Sequence, residues 1–208
     1  MSQTKVAVGM LSATGTPGSG NFLRGDGTWN TPSSAMTFIS NTDISNAATY
    51  NFTAVDASSY EGYGLFLQNL IPVTDAVKLY VRTSTDGGSS YDADASDYMW
   101  GSRFISYTTD DADNQINIHG STGGAAYTVG SDANESGCSG WIWVYGPHST
   151  AFTHITANIA THTGEPKLLQ VVASGQRLEA ADVDAFQLLF SSGNIETGTV
   201  TAYGIANA

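Results

Sequence analysis

Whatever acid–base, nucleophilic or metal chemistry this 208-residue chain performs must come from four histidines, one cysteine, nineteen acids and its many serines and threonines. A nucleophile elbow needs G-x-S-x-G, so that the serine stands exposed on a tight strand-to-helix turn. Gly137-Cys138-Ser139-Gly140 comes near that pattern and fails it. A Ser-His-Asp set can always be assembled on paper from so many hydroxyls, and without geometry none is assigned. No pair among the acids stands out for general acid–base work. Cys138 has no partner for an internal disulfide or a thiolate zinc site, and is expected to be buried and idle. His154 and His162 are eight positions apart, about 26 Å on a strand, so they cannot share one ion within a protomer. Three copies of one histidine around a symmetry axis could, but with His119 and His148 they read better as ordinary polar-face residues.

Two acidic stretches, Asp92 to Asp97 and Asp110 to Asn114, offer the oxygen ligands that calcium takes. An EF-hand register from Asp92 fails, because Asp97 stands where glycine is required and Arg103 where glutamate is. Solvated loops are the expectation. Ser84-Thr85-Asp86-Gly87-Gly88-Ser89-Ser90-Tyr91 follows S-x-D-x-G-x-S-aromatic and resembles an Asp-box hairpin. Asp86 would accept turn amides, the glycines would take positive φ, and Tyr91 would pack back on the turn. In sialidase-like proteins this motif is structural and lies away from the catalytic site. The chain therefore reads as a non-enzyme with no cofactor and no metal.

The elements that position these residues are strands. With 23 Gly and few helix formers, short apolar runs alternate with turn clusters about every dozen residues. Expected strands are 36–40, 49–55, 63–70, 76–83, 98–108, 115–119, 140–145, 152–161, 168–173, 185–190 and 197–205. Val77, Leu79 and Val81 alternate with Lys78, Tyr80 and Arg82, the period of a half-buried strand. Trp141 to Tyr145 is apolar on both faces and suits a central strand. The only helical fragment, Leu178 to Ala181, is about one turn long. The predicted fold is an all-β, jelly-roll-like sandwich over residues 36–208, after an extended Gly/Ser-rich N-terminal arm over residues 1–35.

Lys and Arg total 7 against 19 Asp and Glu, a formal charge of −12. Nucleic acid and anionic lipid both need clustered cations, so neither is an expected partner. No run of about 18 apolar residues exists, and membrane insertion is not expected. Low charge combined with abundant Ser, Thr and Asn and interleaved aromatics suits carbohydrate. Aromatic faces stack on sugar rings while short polar groups bond hydroxyls. Trp100, Tyr107, Tyr127, Trp141 and Trp143 are the candidate platforms.

Gly20-Asn21-Phe22-Leu23-Arg24-Gly25-Asp26-Gly27-Thr28-Trp29-Asn30-Thr31-Pro32 resembles the G-x-F-L-R-G-D-G-T-W-x-x-P segment of bacteriophage tail-fibre and related virion fibre proteins. That segment usually precedes a distal domain. Shorter words beyond it, among them Tyr60-Glu61-Gly62-Tyr63, Val81 to Gly88, Ser96-Asp97-Tyr98, Leu189 to Ile195 and Gly198-Thr199-Val200, are similar to a β module of phage fibres and spikes. The resemblance implies a fibre or spike protein on the virion surface, made in the host cytoplasm. It would be attached to other virion proteins through the arm and would meet host-surface polysaccharide through the β domain. Phe22, Leu23, Arg24 and Trp29 would make the virion or oligomer contacts. A homotrimer is implied, with a fivefold vertex spike as competitor. The alternative is a capsid decoration or head-fibre subunit that stabilises the particle without specific glycan binding. A depolymerase ranks third, since the repetition of a long β-helix body is missing.

Overall fold

Strands form where apolar and polar residues alternate, because that period gives a sheet one face for the core. The computed structural model describes residues 13–16, 18–31, 34–103, 111–113, 115–119, 127–165 and 167–207. The chain divides into two compact units, Met1–Ala35 and Met36–Ala208.

The first unit is not a wholly extended arm. β1 (Phe22–Leu23) pairs with β2 (Trp29–Asn30) in a small antiparallel hairpin. Asp26 builds its tip: one carboxylate oxygen accepts both the Thr28 N–H at 3.0 Å and the Thr28 hydroxyl at 2.7 Å. Thr14 bridges Thr28 in parallel, donating its N–H to the Gly27 carbonyl and accepting that of Trp29. These local bonds order residues that have no core of their own.

The second unit is an all-β sandwich. Its larger sheet holds β3 (Met36–Ala47), β5 (Tyr60–Pro72), β7 (Tyr98–Arg103), β8 (Asp111–Asp113), β10 (Cys138–Tyr145), β11 (His154–His162), β12 (Leu168–Arg177) and β14 (Ile195–Ala206). Their order is β3-β14-β5-β10-β11-β12-β7-β8. The smaller sheet holds β4 (Tyr50–Phe52), β6 (Leu79–Ser84), β9 (Ile116–Asn117) and β13 (Ala185–Phe190), in the order β4-β13-β6-β9. The chain crosses repeatedly between sheets, as jelly-roll-like connections do, and every pairing within them is antiparallel.

The core lies between the two sheets. Leu65, Leu67, Ile142, Val144, Ile155 and Ile159 come from the larger sheet, and Leu79, Val81, Phe186 and Leu188 from the smaller. Phe52 stacks on Phe186 with ring centroids 6.1 Å apart, and Tyr63 packs against both. Each such buried side chain contributes about 1.5–3 kcal/mol through lost contact with water.

The expected strand at 185–190 has those bounds, and most others differ by a few residues. The largest difference is β3, which runs on to Ala47 as an edge strand. Residues Leu178 to Ala181 form bends instead of a helical turn, and no α-helix occurs among the described residues. Tyr107 lies outside them.

Candidate functional site

On β10, residues Ile142 and Val144 point into the core, and so Trp141, Trp143 and Tyr145 must point the other way. β10 is central in its sheet, as its two apolar faces predict, and among the described residues of the second unit no further layer covers its second face. The outward aromatics are half-buried or exposed, with Tyr145 at 48%.

Pairing register gathers further aromatics onto that face. Trp141 is opposite Phe66 on β5, and Phe66 is opposite Thr201 on β14. Two residues along, Trp143 is opposite Gly64, Gly64 opposite Tyr203, and Tyr203 opposite Phe38 at the sheet edge. Trp141 and Trp143 stack with centroids 5.0 Å apart and planes 14° from parallel. Phe66 lies 4.8 Å and Tyr203 5.8 Å from Trp141, and Phe38 meets Tyr203 edge-on at 6.1 Å. Aromatic pairs of this kind contribute about 0.5–1.5 kcal/mol each beyond burial, so the platform is fixed before any ligand arrives. Gly64 is needed where it is, since a Cβ there would fall 2.7 Å from the Trp143 ring.

Amides and hydroxyls frame the stack. On β11 and β12, Gln170 donates to Asn158 Oδ1 at 3.1 Å, and Asn158 is directly opposite Trp141. On the β14 and β3 side, Thr201 donates to Asn41 at 2.6 Å and Thr199 to Asp43 at 2.8 Å. Three grooves on this face adjoin the outward aromatics of β10. One of about 720 Å³ is bounded by Trp141, Trp143, Asn158 and Gln170. A second of about 600 Å³ lies between Trp143, Tyr145 and Glu61, and a third of about 650 Å³ between Tyr145, Thr156, Ser174 and Gln176. These sizes fall within the roughly 300–1,000 Å³ usual for ligand sites.

Trp141 and Trp143 are thus brought together, as neighbours in one stack. Trp100 is not part of it: it faces the core beside Tyr98, only 2% exposed, while Met99 between them points outward. Its alternation on β7 overrides its residue type. Tyr127 is exposed near Lys167 and lines none of the three grooves. Sequence reasoning missed Phe66, Tyr145 and Tyr203, although each alternates with core residues on its own strand. Phe22, Leu23 and Trp29 do come together on the β1–β2 hairpin, Leu23 directly opposite Trp29, with Arg24 exposed beside them.

The other candidates resolve into structure. Ser84 donates to Asp86 and accepts the Gly88 N–H at 3.0 Å, while Ser90 donates both its N–H and its hydroxyl to the Asp86 carboxylate. These bonds, those from Ser90 foremost, hold the Asp86 carboxyl down at about 2. Gly88 takes φ +81° beneath the Tyr91 hydroxyl, as the Asp-box turn requires. Asp92 receives Arg177 Nε at 2.7 Å, and so serves an internal ion pair. Asp94 accepts no such cation; its N–H bonds Asp97 at 2.7 Å, closing the loop. Among the described residues no cluster of three or more His, Cys, Asp or Glu has the spacing for a metal. Burial, with Lys78 nearby, drives His119 down to about 3, so it is a neutral core residue whose Nδ1 accepts from the Leu79 N–H. His148 meets Asp182 at 3.1 Å, and His162 accepts the Ser136 N–H. Compared with known proteins, the chain matches no family model, no curated protein and no solved structure.

Proposed function

We propose that this chain is a structural fibre or spike protein of a bacteriophage or phage-like particle, and that the outer face of its larger sheet binds host-surface glycan. The observation that carries the glycan reading is the preformed stack of Trp141 and Trp143, flanked by Phe66 and Tyr203 and framed by the Asn158 and Gln170 amides. Flat apolar rings beside paired amides complement the alternating C–H and hydroxyl surface of a sugar. The virion reading rests on the resemblance of residues 20–32 to the fibre segment. That segment forms a hairpin displaying Phe22 and Leu23, a contact element for other virion proteins or for sister subunits.

No catalytic role is part of this reading. A glycan array probed with the whole chain and with Trp143→Ala tests the reading. Binding that the variant loses supports it, and absence of binding by the native chain overturns it.

One observation favours the second reading, a decoration or head-fibre subunit with an assembly role. Leu168 is 75% exposed, and Val172 and Met99 are exposed on the same face. Aliphatic side chains in water are better explained by a protein neighbour than by a sugar. Localising the chain in an intact particle, with that face covered or free, separates the two.

A further inference from the structure

Resting on the glycan reading above, we infer that the ligand is an uncharged polysaccharide bound along several consecutive units, not a terminal or acidic sugar. Three observations combine. First, the three grooves form one track. Trp143 borders the first and second, and Tyr145 borders the second and third. From Ser139 at one end to Tyr145 at the other the track follows six steps of β10, about 20 Å at strand rise. That exceeds the length of one sugar ring several times over.

Second, the side chains that border the track are rings, amides, hydroxyls and aliphatic groups rising from a single sheet face, a surface along which the interior of a chain can lie, and Thr156 pairs with Ser174 across β11 and β12 within the third groove. Third, among the described side chains no Lys or Arg borders any of the three grooves. Lys167, next in sequence to the first groove, is held by Glu165 at 2.6 Å. The acid present is Glu61, and the whole chain carries −12. A uronate or sialate would lose water without gaining a cation, a desolvation cost that Coulomb repulsion increases.

The test uses the full chain at pH 8. Calorimetry would titrate size-graded uncharged oligomers (glucan, galactan and mannan series, disaccharide to hexasaccharide) and two acidic series, oligogalacturonate and oligosialate. The expected result is binding to at least one neutral series, tightening tenfold or more from disaccharide to hexasaccharide, with no acidic series bound. Tyr145→Ala alters an exposed side chain outside the stack, so the fold should survive. It should abolish most of the gain with length. An acidic series bound as tightly, or no gain beyond the disaccharide, overturns this inference while leaving the glycan reading standing. Failure to bind any oligomer of either kind overturns both.

Discussion

Gly64 lies beneath Trp143 from the neighbouring strand, so close that a Cβ at position 64 would fall 2.7 Å from the indole ring. A missing side chain on β5 is therefore what lets the indole on β10 settle against the sheet and stack on Trp141.

Gly64→Ala should displace Trp143 while the interior stays packed, because the added methyl meets a ring on the outward face. Overpacking of this kind costs about 1–3 kcal/mol. The intrinsic tryptophan emission and near-ultraviolet dichroism should change, and glycan binding should fall with them. An unchanged spectrum would show that the ring has somewhere else to go.

Arg177, 4% exposed, ties distant parts of the chain together. Its Nε donates to Asp92 and its other nitrogens reach the side chain and carbonyl of Glu179. Asp92 also accepts the Thr83 hydroxyl, and Tyr98 donates to the Asp92 carbonyl. Arg177→Ala leaves that carboxylate without its cation and should cost about 3 kcal/mol. Arg177→Ala with Asp92→Asn should cost less than the sum of the single changes, a coupling read by urea denaturation.

Acid should unmake the Asp-box turn in a narrow window. The folded pKa of Asp86 is depressed to about 2 from an ordinary 3.8, chiefly by bonds from Ser90. Its contribution is therefore present above the unfolded value and fades as pH falls from about 4 to about 2. Carboxyl chemical shifts followed by pH titration should place this one group near 2, and Asp86→Asn should remove the corresponding slope.

Cys138 should be inert in the native chain. It is buried, burial pushes its thiol up to about 12, and its Sγ lies 3.5 Å from the Leu70 carbonyl oxygen. A maleimide at pH 7.5 should leave it unlabelled until denaturant is added, and non-reducing mass spectrometry should show no covalent dimer.

The proposed fibre assembly predicts a threefold oligomer. Light scattering on the purified chain should give three times 21.8 kDa, whereas five times that mass would indicate a vertex spike. A monomer at micromolar concentration would defeat both.

The strands were legible because their core sides alternate cleanly: Leu79 and Val81 are buried while Tyr80 and Arg82 between them are not. β3 runs seven residues past the expected end at Ser40, through the polar Asn41-Thr42-Asp43. As an edge strand with one wet face it tolerates those polar residues, and Asn41 and Asp43 bond Thr201 and Thr199 across the ladder. β8 carries two aspartates in three residues and gave no strand signal. The site was half legible. Trp141 and Trp143 share one strand face and can be paired from spacing alone. Phe66 and Tyr203 join them only through register set by residues far away in the chain, which spacing cannot supply. Trp100 is turned to the core by its place in the β7 alternation, which residue type alone does not reveal.

The order of strands has a consequence for how the domain is made. β3, the first strand of the sandwich, has β14 as its one neighbour among the described strands of the sheet, and β14 is also one of the two neighbours of β5. On a ribosome, β3 has emerged and waits through the synthesis of about 150 further residues, at roughly 5–20 per second, before its partner exists. Until Ile195 to Ala206 appears, the sheet lacks the strand that joins its first member to the rest. Closure of the sandwich thus waits for β14, and a product that stops before Ile195 carries an open seam for proteases and chaperones instead of being a smaller working domain.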